Sequence, residues 1–194
     1  MSEAAESTVK AGYKAIREWV TVIGVALVIA FLVRGFVLQQ FYISGPSMES
    51  TMFQDNRVLV NKLSYRLHDI QRGDVVVFDR VTTDGVAVQH DDLIKRVIGL
   101  AGDTISISQC IVSVNGKVVD EPYLNDYDLA QSNFDDRCRV PELEQTTIDS
   151  GQLFVMGDNR PQSFDSRMFG TIDEDLVIGR AFVIIWPLGS IHWL

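Results

Sequence analysis

The most apolar part of the chain lies near its start. No charged residue occurs from Trp19 to Val33, and the apolar character continues to Leu38. A segment of about 20 residues matches the hydrocarbon core of a bilayer, which is roughly 30 Å thick. The pattern therefore predicts a transmembrane segment at 19–38, behind a polar tail at 1–18.

A cleaved secretory signal is the alternative interpretation of this run. The run is longer than the apolar region of such signals, and no small-x-small cleavage site follows it before Phe41-Tyr42. An uncleaved signal anchor is therefore favoured. Lys10, Lys14 and Arg17 in the tail favour a cytoplasmic N-terminus, which places the rest of the chain on the other side of the membrane.

Short runs of apolar and β-branched residues, separated by turn signals, follow one another along the rest of the chain. Runs of this length and composition are typical of buried strands. Asn115-Gly116 is a strong hairpin signal, because a type I′ turn needs positive φ at both positions. The pattern predicts a mainly β, antiparallel domain over 39–194. The runs are 57–60, 75–78, 93–98, 104–107, 111–114, 117–119, 151–156 and 176–186.

Polar segments interrupt this pattern in two places. The first, 79–92, contains His90 and is predicted to be a solvated loop, since a metal site would need more ligands at ordered spacing. The second belongs to 103–150, which is interpreted as a peripheral hairpin and loop insertion. Lys95 and Arg96 are unusual because they lie within an apolar run, where a lysine is seldom buried without a reason.

The charge balance excludes one class of partner. The 194 residues carry a net charge of −9 with a pI near 4.7 and no basic stripe, so a nucleic-acid partner is not expected. No pattern indicates a metal or an organic cofactor. Cys110 and Cys138 both lie beyond the anchor, where a disulfide and two free thiols are equally compatible with the sequence.

A turn directly after the anchor presents a candidate nucleophile. Gly45-Pro46 precedes Ser47, whose hydroxyl should lie just outside the bilayer. Such a turn serine is a nucleophile only if the chain supplies a base. Lys95 is the favoured base, because burial in an apolar strand disfavours its charged form. A histidine triad is an unsupported alternative, since no Gly-x-Ser-x-Gly elbow accompanies any of the three histidines.

Four sequence boxes follow one another behind the anchor. They are 44–48 with Thr51, 72–78, 95–103, and 157–160 with Ser163 and 165–167. Taken together, they resemble the boxes of bacterial type I signal peptidases. They occur in the same order and behind the same kind of anchor. The resemblance extends from the anchor to near the C-terminus and leaves out only the tail and the insertion.

The resemblance implies a serine protease with a Ser-Lys dyad. It makes Ser47 the nucleophile, Lys95 the general base, and Ser163 the residue that hydrogen-bonds and orients the lysine. It also implies that the backbone N–H of Ser47 donates to the oxyanion and that two structural ion pairs bracket the site. These pairs are Arg96 with Asp158 and Arg167 with Asp165.

Two positions depart from the family pattern. Ser50 replaces a proline three residues after the nucleophile, and the loss of the fixed proline φ is expected to loosen the turn that aims Ser47. Gly45 replaces a serine that donates to the oxyanion in some members. The oxyanion hole would therefore rely more on backbone N–H groups.

The resemblance also implies the substrate. The family removes signal peptides from exported preproteins at the bacterial cytoplasmic membrane, after small residues as in Ala-x-Ala, and uses no cofactor. An extended stretch of the preprotein could add as a strand near Ser47. Ile43, Met48 and Phe53 are candidates to line shallow subsites or to contact lipid, and core packing is the alternative for all three.

Two other functions are open from the sequence. An inactive relative would bind preproteins without cutting them, and Ser50 is the only feature that favours it. An anchored hydrolase of an ester or β-lactam bond is the weaker alternative. The intact set of Ser47, Lys95 and Ser163 favours an active enzyme over the binding protein.

Overall fold

The computed structural model describes residues 2–83, 87–124 and 137–194. The chain divides into two compact units, Met1–Gln39 and Gln40–Leu194.

The N-terminal unit is helical. Helix α1, Ser2–Leu32, continues into a π-helical turn, Val33–Val37. By length and apolar composition, Ile16–Val37 could cross a membrane. The predicted anchor therefore corresponds to helix, except that Leu38 already begins a strand and the helix extends back into the polar tail.

The second unit is built from antiparallel sheets, which confirms the mainly β prediction. Its larger sheet has eight strands in the order β1-β2-β11-β3-β4-β9-β10, with β12 paired to β11. The strands are β1 Leu38–Tyr42, β2 Arg57–Asn61, β3 Val75–Thr83, β4 Val88–Gly99, β9 Gln152–Met156, β10 Ile172–Asp173, β11 Val177–Trp186 and β12 His192–Trp193. Two short helices accompany them, α2 Ser64–Leu67 and α3 Ser166–Phe169.

Strand β3 is buried on both faces, which explains its unbroken apolar sequence. Val75 and Val77 join one apolar cluster, whereas Val76 and Phe78 join another. Because successive side chains of a strand point to opposite faces, these are clusters on the two sides of the strand. A strand covered on both sides has no polar face and therefore no alternation.

The predicted solvated loop at 79–92 is wrong, because most of this segment is a β ribbon. Strand β3 continues to Thr83 and β4 begins at Val88, with Asp79 opposite Asp92 and Thr83 opposite Val88. Residues 84–86, also part of this predicted loop, lie outside the described residues. Strand pairing uses backbone groups, so polar side chains are compatible with a ribbon that projects into solvent.

The segment 103–150 contains a second, smaller sheet. Its order is β7-β6-β5-β8, with β5 Thr104–Ser108, β6 Ile111–Val114, β7 Lys117–Val118 and β8 Leu143–Thr147. Asn115 and Gly116 have φ of 53° and 75°, as the predicted type I′ hairpin requires. The predicted loop includes 125–136, which lie outside the described residues. Strand β8 lies in a stretch that the polar composition had indicated to be irregular.

A disulfide joins Cys110 to Cys138, with the two Cα atoms 5.7 Å apart. The structure thereby decides between the two alternatives that the sequence left open. The bond links the turn between β5 and β6 to the chain shortly before β8, so both of its cysteines belong to the insertion.

Candidate active site

Ser47 lies in a short 3-10 turn, Pro46–Met48, between β1 and β2. Proline suits the first position of such a turn because its φ is already fixed near the helical value. The preceding Gly45 is extended, with φ −125° and ψ 159°. Met48 is fully buried and anchors the turn in the core, while Ser47 itself stays partly exposed. The turn therefore presents a fixed serine hydroxyl at the surface.

Lys95, which lies in β4, contacts this hydroxyl. Its Nζ forms a hydrogen bond with Ser47 Oγ at 2.7 Å and donates a second one to the Ile94 carbonyl at 3.0 Å. Only 3% of the lysine surface is exposed. The structure thus brings together the two residues predicted as nucleophile and base, which are 48 positions apart in the chain.

Burial lowers the pKa of Lys95 to about 8, from its ordinary value of 10.5. The carboxylates of Asp165 and Asp158 oppose this shift because they favour the charged ammonium. A pKa near 8 means that a substantial fraction of the amine is neutral in mildly alkaline solution. A neutral amine at 2.7 Å can accept the proton of the serine hydroxyl.

Ser163 is buried near the pair, but it does not form the predicted hydrogen bond to Lys95. Only 1% of its surface is exposed, and in the described residues its Oγ makes no hydrogen bond of good geometry. Its hydroxyl is nevertheless close enough to the Asp165 carboxylate to help lower the pKa of that group. It lies against Gly157, where an added Cβ would collide with both Ser163 Oγ and the carbonyl oxygen of Ser47. Gly157 therefore allows the serine and the nucleophile backbone to approach each other closely.

The predicted ion pair between Arg96 and Asp158 is present and buried. Arg96 donates from Nε and Nη2 to the two carboxylate oxygens, at 2.9 and 2.6 Å. Its Nη1 donates to the Gly73 carbonyl at 2.9 Å, and the Thr51 hydroxyl donates to Asp158. These contacts connect all four sequence boxes. A bidentate pair of this kind fixes geometry as well as charge.

The predicted pair between Arg167 and Asp165 is also present and buried. Arg167 donates to both carboxylate oxygens at 2.8 and 2.7 Å, and to the carbonyls of Arg160 and Cys138. Burial alone would raise the pKa of Asp165, but its hydrogen bonds from Arg167 and from the Gly157 N–H hold this pKa below its ordinary value. Asp165 therefore stays ionised beside the site.

A third buried ion pair has no signal in the sequence. Arg160 pairs with Glu121 through both carboxylate oxygens, at 2.9 and 2.5 Å. Next to it, the ring of Tyr123 lies 4.0 Å from the Arg96 guanidinium carbon. Arg160 belongs to the last sequence box, but no sequence signal marks its partner in a polar stretch. The insertion, predicted to be peripheral, instead contacts the site.

Residues of the predicted substrate-binding set occupy different environments. Ile43 and Met48 are 4% and 0% exposed within the apolar core, so core packing describes both. Phe53 is 56% exposed and lies at the surface. Beside Gly45, the space that a side chain would enter is open.

The turn after the nucleophile differs from the proline turn expected in this family. Ser50 has a φ of +87°, which proline cannot adopt. Glu49 is extended with φ −58° and ψ 148°, and the Thr51 N–H donates to the Met48 carbonyl, as in a type II turn. Ser50 Oγ donates to the Tyr123 carbonyl at 2.8 Å. The turn is therefore held by a hydrogen bond to the insertion.

None of the three histidines takes the place of Lys95. His90 is exposed and pairs with Asp79, while the rings of His68 and His192 lie near the backbone carbonyls of Asp69 and Ser190. In the described parts of the chain, no group of three or more His, Cys, Asp or Glu side chains is arranged to hold a metal ion.

Comparison with known proteins places the chain in a family. The family described as "Signal peptidase, peptidase S26" matches residues 16–186. Signal peptidase IB of Staphylococcus aureus strain COL is 40% identical over 185 residues, which cover 91% of this chain and 93% of that protein. A probable signal peptidase I-2 of Synechocystis sp. is 39% identical over 173 residues, which cover 87% of this chain and 72% of that protein.

Among solved structures, a signal peptidase I from Enterococcus faecalis V583 is 29% identical. The match covers 58% of this chain and 97% of that chain, with a TM-score of 0.43. The family match and the identity to Signal peptidase IB each cover most of the chain. The chain therefore belongs to peptidase family S26, the signal peptidases, and is a serine protease of that family.

Proposed function

We propose that the protein is a membrane-anchored serine endopeptidase that cleaves signal peptides from exported preproteins after an Ala-x-Ala-like site, with Ser47 as nucleophile and Lys95 as general base. The observation that carries this proposal is the 2.7 Å hydrogen bond between Lys95 Nζ and Ser47 Oγ. The burial that lowers the pKa of Lys95 supports it, because a base must be neutral to accept a proton.

The reaction follows from this arrangement. Ser47 Oγ attacks the carbonyl carbon of the scissile bond while its proton passes to neutral Lys95 Nζ. The backbone N–H of Ser47 stabilises the oxyanion of the tetrahedral intermediate. Lys95 then gives the proton to the leaving amine, and the C–N bond breaks to leave an acyl-enzyme. Water, deprotonated by the same lysine, hydrolyses this ester and restores Ser47.

Buried charges around the dyad support its rigidity in this mechanism. Asp158 with Arg96 and Asp165 with Arg167 are proposed to hold the segments that carry Lys95 and Ser163. Ser163, whose hydroxyl is buried beside the dyad, is proposed to orient the amine during the reaction. Gly45 leaves the oxyanion contacts to backbone groups. Each group acts by positioning, which contributes strongly when reacting atoms must align.

The anchor defines where the enzyme would act. Residues 19–38 are proposed to span the bacterial cytoplasmic membrane once, with the tail 1–18 in the cytoplasm and the catalytic domain 39–194 outside. Exposed Phe53 is proposed to contact the signal peptide or lipid. The partners are preproteins and the bilayer. Nucleic acid is excluded from the proposal on the net charge of −9.

The test is cleavage of a preprotein bearing an Ala-x-Ala site by the full chain in detergent and lipid. Product at that bond is expected from the wild type and from two exposed control variants, Ser108→Ala and Lys117→Ala. Ser47→Ala and Lys95→Ala are expected to remain folded and to give no product above background. A folded wild type that binds the preprotein and leaves it uncut would indicate a binding protein, and substantial activity in either variant would remove the dyad assignment.

A further inference from the structure

The backbone of Ser47 is held by the turn at 157–160. The Asn159 N–H donates to the Ser47 carbonyl at 3.1 Å, and a Cβ added at Gly157 would collide with the same carbonyl. The 157–160 turn therefore helps to hold the backbone of the nucleophile, together with the buried Met48.

Both backbone groups of Gly157 form hydrogen bonds with buried charged side chains. Its N–H donates to Asp165 Oδ2 at 3.0 Å, and its carbonyl accepts from Arg160 Nε at 3.1 Å. Asp165 is itself neutralised by Arg167, and Arg160 by Glu121. One ion pair therefore holds the Gly157 N–H through its carboxylate, and the other holds the Gly157 carbonyl through its guanidinium.

Glu121 is the only member of this arrangement that comes from the small-sheet insertion. It follows β7 and reaches Arg160 with both carboxylate oxygens, and 9% of its side chain is exposed. Tyr123 supports it by donating from its hydroxyl to Glu121 Oε1 at 2.7 Å. Without this carboxylate, the guanidinium of Arg160 would be a buried charge without its ionic partner.

We infer that Glu121 is a positioning residue for catalysis, which holds Arg160 on the Gly157 carbonyl and so keeps the 157–160 turn and the Ser47 backbone in place. The inference rests on the proposed function of Ser47 as nucleophile. Glu121 contacts Arg160 and Tyr123 rather than Ser47 or Lys95. Its loss therefore acts on the alignment of the nucleophile, and small misalignments of reacting atoms lower rates strongly.

The experiment measures kcat and KM of the full chain in detergent and lipid, with an Ala-x-Ala preprotein, for Glu121→Gln and Glu121→Ala. Asp120→Ala, an exposed carboxylate one residue away, is the matched control. We expect Glu121→Ala to lose about tenfold or more in kcat, with KM changed less than about twofold, because the group acts on alignment rather than binding. The kcat of Glu121→Gln should lie between those of the wild type and Glu121→Ala, since the amide oxygen of the glutamine can still accept a hydrogen bond from Arg160.

The pH profile separates positioning from a change at the base. Burial, Asp165, Asp158 and Arg167 set the pKa of Lys95, whereas the Glu121 carboxylate is bonded to Arg160 and Tyr123. The midpoint of the pH profile should therefore stay where it is in the wild type while kcat falls. A shifted midpoint would contradict the inference.

Three outcomes can be told apart: a misfolded variant, a failure of the role inferred for Glu121, and a failure of the proposed function. Near-UV circular dichroism and thermal unfolding establish that Glu121→Gln, which preserves side-chain volume, is folded at the assay temperature. If folded Glu121→Gln and Asp120→Ala have the same kcat, Glu121 is structural at most and the inference is wrong. If wild type and Asp120→Ala both leave the preprotein uncut, the proposed function itself has failed.

Discussion

Lys95 Nζ reaches Ser47 Oγ at 2.7 Å from a side chain that is 3% exposed. Strand β4 places the lysine in the interior, and the buried Met48 fixes the turn that carries the serine. The reacting groups are therefore held by the core of the domain rather than by mobile surface loops. Such a site is positioned before the substrate arrives.

Replacing Lys95 should stabilise the fold while abolishing catalysis. The folded pKa of about 8 lies below the ordinary value of 10.5, so charging this lysine opposes folding at pH 7. Lys95→Met removes the charge and should raise the free energy of unfolding at pH 7 by up to about 3 kcal/mol. Chemical denaturation checks this, with the exposed Lys117→Met as a control that stays within about 0.5 kcal/mol of wild type.

The pH dependence of this stability gain has a defined sign. Between about pH 8 and 10.5 the unfolded wild type binds the extra proton at Lys95, so wild-type stability rises with pH in this window. The advantage of Lys95→Met should therefore shrink toward pH 10.5. An advantage that is constant across the window would show that the burial of charge is not its cause.

Asp165→Asn should change both the free energy of unfolding and the pH dependence of activity. It leaves the buried guanidinium of Arg167 without its ionic partner, which costs about 3–5 kcal/mol of unfolding free energy. It also removes a carboxylate that raises the pKa of Lys95, so the activity that survives should reach its half-maximum at a lower pH. Denaturation and a pH–rate profile of the folded variant test the two effects separately. A shift to higher pH would contradict this account.

Ser50 should respond to substitution through its backbone. Its φ of +87° is unfavourable for any residue with a Cβ, whereas glycine adopts it freely. Ser50→Ala and Ser50→Gly both remove the hydrogen bond to Tyr123, so their difference isolates the backbone. The glycine variant should be more stable by about 1 kcal/mol. Equal unfolding free energies would show that position 50 does not hold this conformation in solution.

Reduction of the Cys110–Cys138 bond should destabilise the catalytic domain. The bond has a sequence separation of 28 residues, for which the chain-entropy model gives roughly 3–4 kcal/mol of stabilisation. Unfolding measured with and without a thiol reductant checks this value. Cys110→Ser should be destabilised to a similar extent and insensitive to the reductant. A wild type with the same stability under both conditions would contradict the predicted contribution.

The core of the site was predictable because its signals are local. The apolar runs that form β2, β3, β9 and β11 are short and β-branched, and the boxes that carry Ser47 and Lys95 are distinctive in their residues and order. The two ion pairs of Arg96 and Arg167 follow from the same boxes. These features need only the chain pattern and the family resemblance.

What the sequence could not predict depends on contacts between distant segments. Nothing in the polar stretch around Glu121 indicates that this carboxylate pairs with Arg160, 39 positions away. The β3–β4 ribbon could not be predicted from its polar composition, because a projecting pair of strands needs backbone pairing and not an apolar face. The positive φ of Ser50 likewise results from its turn and from the contact with Tyr123.

The role of buried Lys95 as general base is tested most directly by kcat/KM as a function of pH for cleavage of an Ala-x-Ala preprotein. With Lys95 as the base, activity should rise with pH to a plateau, with a midpoint near the pKa of about 8 at which Lys95 loses its proton. A midpoint near 6.5 would point to a histidine base, and one near 10.5 to an exposed lysine. Either result would contradict the account.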